Sequence, residues 1–261
     1  MSQPVNLELC RCTNTSGQTS GANERGSTLL PWLRSYHSFS FNRYYDPARM
    51  GFGPLRVVNQ DWVAPGGGFS SHSHRDALII SLVTHGEMVH RDTAGHEQRL
   101  RSGDYQYMSA GSGIRHSEFN ASDTEPMEFV QIWVTPRHKN TAPAYQVQHF
   151  DDAATLQPIA AGEADVGVDT GVFLLDQDIR IWQLQLNAGE HIQQNLPDQW
   201  QRRVQLVKGE ITLENTRLQP GDALEFGPDL YPNQVTTYRA NSNSLALIFD
   251  IPANNQPRTT P

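Results

Sequence analysis

Cysteine is almost missing from this chain: among 261 residues there are two, Cys10 and Cys12, both near the N-terminus. That excludes a disulfide-built scaffold and a thiolate metal site, and the pair reads as reduced thiols in an exposed arm. No apolar run approaches the roughly 18 residues that cross a bilayer, and no charged start with an apolar stretch marks a secretory signal. Lys and Arg total 20 against 28 Asp and Glu, a formal net charge of -8, and the basic residues form no cluster. Direct nucleic-acid binding through a basic face and a membrane partner are therefore not expected. Long segments of helical period are lacking as well, with room for a short helix around Asp152 to Leu156. The expectation is a cytoplasmic monomer.

What the chain does contain is short β signals. Leu55-Arg56-Val57-Val58, Leu78-Ile79-Ile80-Ser81-Leu82-Val83 and Phe129-Val130-Gln131-Ile132-Trp133-Val134 are separated by Gly, Pro, Asp and Asn clusters. Recurrence at about ten residues is the spacing of sandwiches and barrels. Residues 1–26, with Thr13 to Gly21 almost wholly polar, read as a flexible tail. The rest repeats weakly. Val63-Ala64-Pro65-Gly66, a strand ending at Gly86-Glu87, and Gly103-Asp104 are echoed by Leu186-Asn187-Ala188-Gly189, Gly209-Glu210 and Gly221-Asp222. Two tandem antiparallel β-barrels follow, over 27–150 and 151–261, with the Ala/Gly/Asp-rich stretch Ala153 to Val168 as linker.

Chemistry concentrates at His72-Ser73-His74 and His116-Ser117-Glu118. In a strand, residues i and i+2 share a face. Two such strands side by side would aim three imidazoles and one carboxylate at a single point, a donor set for a divalent first-row metal. A lone buried histidine is most often a satisfied core residue, but two in-phase pairs are a different matter. The second repeat has only His191 in the corresponding stretch, so it is expected to bind no metal. His85, His90 and His96 read as decoration of a solvent-exposed hairpin, His37 as a structural hydrogen-bonding residue, and Arg75 as a loop anchor.

At this point the residues resemble a known family. His72-Ser73-His74-Arg75 and the run Gly103 to Glu118, with Met108-Ser109-Ala110-Gly111-Ser112-Gly113-Ile114-Arg115-His116-Ser117-Glu118 at its end, are similar to pirins, and most similar to bacterial pirin-like quercetin 2,3-dioxygenases. The likeness extends to Ser35-Tyr36-His37-Ser38-Phe39-Ser40-Phe41 and Tyr44-Tyr45-Asp46-Pro47, and covers 27–150 well but the remainder only in outline. Asp76-Ala77-Leu78-Ile79 stands where many animal and plant members have Gly-Phe-Glu-Thr, which argues against their nuclear role.

The resemblance implies an all-β bicupin, two barrels of double-stranded β-helix (jelly-roll) type with a few short helices. It puts the metal in the first barrel on His72, His74, His116 and Glu118. It further implies one divalent transition metal per chain, with Fe(II) expected and Ni, Cu, Zn, Co or Mn also compatible with these donors. Four protein ligands leave positions open in a six-coordinate ion, the mark of a catalytic site. The implied reaction is quercetinase-type cleavage of a flavonol-like polyphenol by O2. Its substrate would be a small planar aromatic, and Glu118 would be both ligand and catalytic base. Phe69, Met108, Ile114 and Trp133 are candidate pocket residues. The alternative is a pirin-like regulatory module that meets a protein partner in a metal- or redox-dependent way without turnover.

Overall fold

The computed structural model describes residues 17–150, 155–162, 171–227 and 235–253. Among them the β signals form 22 strands, and the single helical element is a 3-10 turn, Ala22–Glu24. No helix there is long and apolar enough to cross a membrane. In chain order the first strands are Gln18–Ser20 (β1), Gly26–Leu30 (β2), Leu33–His37 (β3), Leu55–Val63 (β4), Gly68–His74 (β5) and Leu78–His85 (β6). Then come Glu87–Asp92 (β7), Glu97–Arg101 (β8), Asp104–Ser109 (β9), Ile114–Asn120 (β10), Met127–Val134 (β11) and Ala144–His149 (β12). The second half supplies Leu156–Gly162 (β13), Phe173–Leu175 (β14), Arg180–Leu186 (β15), His191–Asn195 (β16) and Trp200–Lys208 (β17). It closes with Ile211–Leu213 (β18), Thr216–Leu218 (β19), Ala223–Phe226 (β20), Val235–Ala240 (β21) and Ser244–Pro252 (β22).

Each half pairs a seven-stranded sheet with a four-stranded one. The first is β12-β9-β6-β11-β4-β3-β2 with β5-β10-β7-β8, and the second is β1-β20-β17-β22-β15-β13-β14 with β16-β21-β18-β19. Laid side by side, the two orders match position for position, so the weak sequence repeat is a structural one. Its turn glycines explain what repeats. Gly86 and Gly209 sit at φ 73 and 80, in the left-handed region open to glycine. A Cβ there would come within 2.5 Å of the Pro126 carbonyl oxygen in the first barrel and 2.2 Å of that of Asn243 in the second.

One strand of the second sheet comes from the first half of the chain. Gln18, Thr19 and Ser20 pair with Glu225, Leu224 and Ala223 at the free edge of β20, the place that β12 takes in the first barrel. Within the tail expected over residues 1–26, Gln18–Ser20 is instead a strand: polar side chains do not prevent a strand held by main-chain bonds at a sheet edge. Residues 1–16, with Cys10 and Cys12, lie outside the described residues. The linker expected over Ala153 to Val168 also contains a strand, β13, which pairs with β15 and buries Ile159, Ala160 and Ala161. Small side chains suit that crowded position. Of the short helix considered at Asp152 to Leu156, residues 151–154 lie outside the described residues, and Leu156 opens β13.

The two seven-stranded sheets meet through one apolar layer. Leu78, Ile80 and Leu82 of β6 join Ile159, Phe173, Ile181, Phe249 and Ile251 there. Ile79 and Val83, on the other face of β6, pack inside their own barrel. Burial on both faces is why this strand reads as an unbroken apolar run, and each such side chain contributes about 1.5–3 kcal/mol. Trp182, Trp200 and Phe226 pack in the second barrel's own core.

The interior of that second barrel is filled. Arg202, wholly buried, donates from Nε and Nη2 to the Asp250 carboxylate at 2.6 and 2.8 Å. Its Nη1 reaches the Tyr238 hydroxyl at 3.2 Å, and Nη2 the Asn195 carbonyl at 3.1 Å. A satisfied ion pair thus occupies the space that in the first barrel is lined by histidines.

Candidate metal centre

Strands β5 and β10 pair antiparallel, with Ile114 opposite His74 and His116 opposite His72. The i, i+2 phase then turns His72 and His74 from one strand and His116 from the next to the barrel interior. Their ring centroids lie 4.8 Å (His72–His74), 4.5 Å (His72–His116) and 4.8 Å (His74–His116) apart. A bulge between His116 and Glu118 shifts the register, so Glu118 faces Phe69. Glu118 is buried at the same end of the strand, with an oxygen within 4.8 Å of the ligand nitrogens of His116 and His90.

Hydrogen bonding leaves these rings free for a cation. His116 is buried, and neither of its ring nitrogens has a partner. His72 donates from Nδ1 to the Ser70 carbonyl at 2.8 Å, which fixes the tautomer and leaves Nε2 as a lone pair. Burial, reinforced by the neighbouring imidazoles, holds His74 and His116 down to about 3. Both are neutral at pH 7, the form that ligates metals. The donor set and the orphaned nitrogens fit a divalent ion.

Glu118 is gripped from behind. Gln106 donates its amide to one carboxylate oxygen, and Gln131 donates to the other at 3.2 Å. Tyr145 donates to Gln106 at 3.0 Å, and the Trp133 indole to Gln131 at 3.1 Å. Burial pushes the Glu118 carboxyl above its ordinary value. Gln106, which by phase alone could face either side of its strand, thus belongs to the site.

Of the three histidines expected on an exposed hairpin, His85 is exposed and His96 partly so, but His90 is not. It is wholly buried, opposite Glu118 in register, and stacked on Tyr145 at 4.5 Å. Its Nε2 meets the buried Asp92 carboxylate at 3.2 Å, which in turn holds His96 at 2.9 Å. The signal for it was in the sequence: Met88, His90 and Asp92 share one face of β7. His37 and Arg75 stand where hydrogen bonds were expected, His37 between Thr28 and Asn59 at 2.9 Å each and Arg75 on Asn140 at 3.2 Å.

A cavity of about 580 Å³ opens beside these groups, lined among others by Trp32, Phe41, Phe69, His72, His74, Glu118 and Trp133. That is the size of a small-molecule site. Of the four pocket candidates, Phe69 and Trp133 line it. Met108 and Ile114 instead pack with Ile79 and Ala110: they share the inward faces of β9 and β10 with Gln106 and His116 but sit two residues along, in a separate apolar cluster. Trp32 stands edge-on to Phe69 at 5.2 Å, and Trp133 edge-on to His74 at 4.8 Å and to Phe41 at 5.5 Å. The cavity also has a polar wall that the sequence reading missed: Ser35, His37, Asn59 and Asp61. They form two more i, i+2 pairs, on the inward faces of β3 and β4.

Comparison with known proteins gives a consistent picture. The profile described as Pirin matches residues 18–134, and that described as quercetinase C-terminal cupin domain matches residues 167–251. Quercetin 2,3-dioxygenase of Escherichia coli K12 is 36% identical over 231 residues, 88% of this chain and 96% of its own length. A pirin-like protein of Caulobacter vibrioides is 40% identical over 162 residues, 61% of this chain and 68% of its own. The crystal structure of bacterial pirin YhhW from Escherichia coli, in complex with nickel(II), superposes with a TM-score of 0.82 at 34% identity. It covers 90% of this chain and 98% of that one.

Proposed function

The chain belongs to the pirin family of two-cupin proteins, and on that premise we propose that it is a metal-dependent dioxygenase of the quercetinase type. The observation that carries this reading is the meeting of His72, His74 and His116, with Glu118 beside them, at an aromatic-walled cavity. These four residues would hold one divalent ion. When bound, the ion supplies Lewis acidity and, if it is iron, electron-transfer capacity. A planar polyphenol enters between Trp32, Phe41, Phe69 and Trp133. Glu118 accepts the proton of the substrate hydroxyl, and the amides of Gln106 and Gln131 fix the carboxylate that takes it. Ring opening then incorporates both atoms of O2 and releases carbon monoxide.

Support comes from the relative named quercetin 2,3-dioxygenase, which aligns over most of both chains, and from the orphaned nitrogens of His116. The test is anaerobic loading with Fe(II), then quercetin and air, with oxygen uptake and carbon monoxide followed together. Stoichiometric uptake and release is the expected result. Absence of turnover with every first-row metal would overturn the enzymatic reading and leave a metal-dependent binding module.

A further inference from the structure

Asp61 is a second carboxylate in the same cavity, and nothing in the protein completes its hydrogen bonding. It comes from β4, in the seven-stranded sheet that faces the histidine-bearing strands. Strand phase sets Asn59 and Asp61 inward, while Gln60 and Trp62 turn to the outer face. Asp61 is 5% exposed, with the Ser35 hydroxyl near its carboxyl, and its Oδ1 has no partner. Its neighbours cannot help. The two nitrogens of His37 are taken by Thr28 and Asn59, and Gln131 is committed to Glu118 and Trp133. A buried carboxylate oxygen without a donor costs free energy, of order several kcal/mol, that a ligand donor would relieve.

We propose that Asp61 determines specificity by accepting a hydrogen bond from a hydroxyl on the part of the substrate that lies across the cavity from the histidines. The inference rests on the dioxygenase reading and narrows its substrate class. The ligand is a flat aromatic carrying phenolic hydroxyls at two separated places, one near the histidines and Glu118 and one at Asp61. Trp32 and Phe69 supply apolar contact between the two polar ends. A ring system with a single hydroxyl beside its carbonyl fills the first place and leaves Asp61 unsatisfied. Discrimination by a site with a buried acceptor is large, because the wrong ligand strands it.

The test uses binding, not turnover. Wild type, Asp61→Leu and Asp61→Asn are loaded with redox-inert Zn(II) and titrated with quercetin and with the parent flavonol, which has only the hydroxyl beside the carbonyl. Quenching of tryptophan fluorescence gives each Kd. Asp61→Leu should weaken quercetin at least about ten-fold, the scale of one charge-assisted hydrogen bond, and leave the parent flavonol unchanged. Asp61→Asn, which keeps a neutral acceptor, should fall between. Zinc content and Tm equal to or above wild type exclude a folding defect. Equal quercetin affinity in all three proteins, or equal loss of both ligands, overturns the role of Asp61 alone. Failure of wild type to bind either flavonol overturns the dioxygenase reading and this inference with it.

Discussion

Glu118 stands in register with His90, both wholly inside the first barrel, two residues along β10 from the point where His116 pairs with Asp92. His116 therefore belongs to two groups of donors, one with His72 and His74 and one with His90 and Glu118. Nε2 of His90 is already engaged by Asp92 and only its Nδ1 is unpartnered, whereas neither nitrogen of His116 has a partner. We expect His90→Asn to retain one equivalent of Ni(II) or Zn(II) after dialysis, while His74→Ala loses at least nine-tenths of it. Elemental analysis decides. The opposite pattern would move the ion to the deeper group.

Glu118→Gln preserves shape and the grip of the two glutamine side chains in part, but removes the charge and the proton acceptor. Its metal content should fall only partly. Turnover should drop by about 10²–10⁴-fold, the usual contribution of a positioned base. A variant that reacts at the wild-type rate would deny the carboxylate any part in proton transfer.

The metal-free protein should lose stability on acidification. An unfolded histidine takes up a proton below about 6.5, whereas folded His74 and His116 stay neutral down to about 3. The unfolded chain then binds more protons, so stability declines as pH falls below about 6.5. Tm measured from pH 7.5 to 4.5 should fall less steeply in a His74→Asn/His116→Asn variant.

Asp61 runs the other way. Burial pushes it from 3.8 up to about 7, so its favourable contribution is complete below 3.8 and is lost as pH rises through 7. Asp61→Asn should gain about 1–3 kcal/mol over wild type at pH 8 and nothing at pH 4, read by denaturant titration. No gain at pH 8 would mean that the buried carboxylate is already satisfied.

In the second barrel, Arg202→Ala should destabilise by about 3–5 kcal/mol, because it strands the Asp250 carboxylate in an apolar interior. Arg202→Met with Asp250→Leu should cost far less, since both charges leave together. Neither change should alter metal content. Calorimetry of the two variants separates the ion pair's role as filler from any role in the metal centre.

Much of this architecture is legible in the residues because a period of two needs no partner to be seen. His72-x-His74 and His116-x-Glu118 declare a shared face, and the paired turn glycines declare two barrels. His90 is less readable, since whether a hairpin faces solvent depends on what covers it. The cover is Tyr145 of β12, remote in the chain and itself held by Gln106 of β9. Asn59 and Asp61 hide for a related reason: their apolar flanks mark a core strand, and the cavity beside them exists only once β5 has crossed it. Met108 and Ile114 are of the right chemical type for a pocket wall. Only the assembled barrel shows that they lie further along it, in an apolar cluster apart from the cavity wall.

The short strand Gln18–Ser20 means that the second barrel is not encoded in one piece. A cut at the change from one barrel to the other would separate β20 from the segment that closes its rim, and would bare the oily layer where the two large sheets meet. Half-molecules should therefore stick to themselves or to each other, and the barrel with no histidine cluster earns its place as the scaffold against which the reactive one is braced.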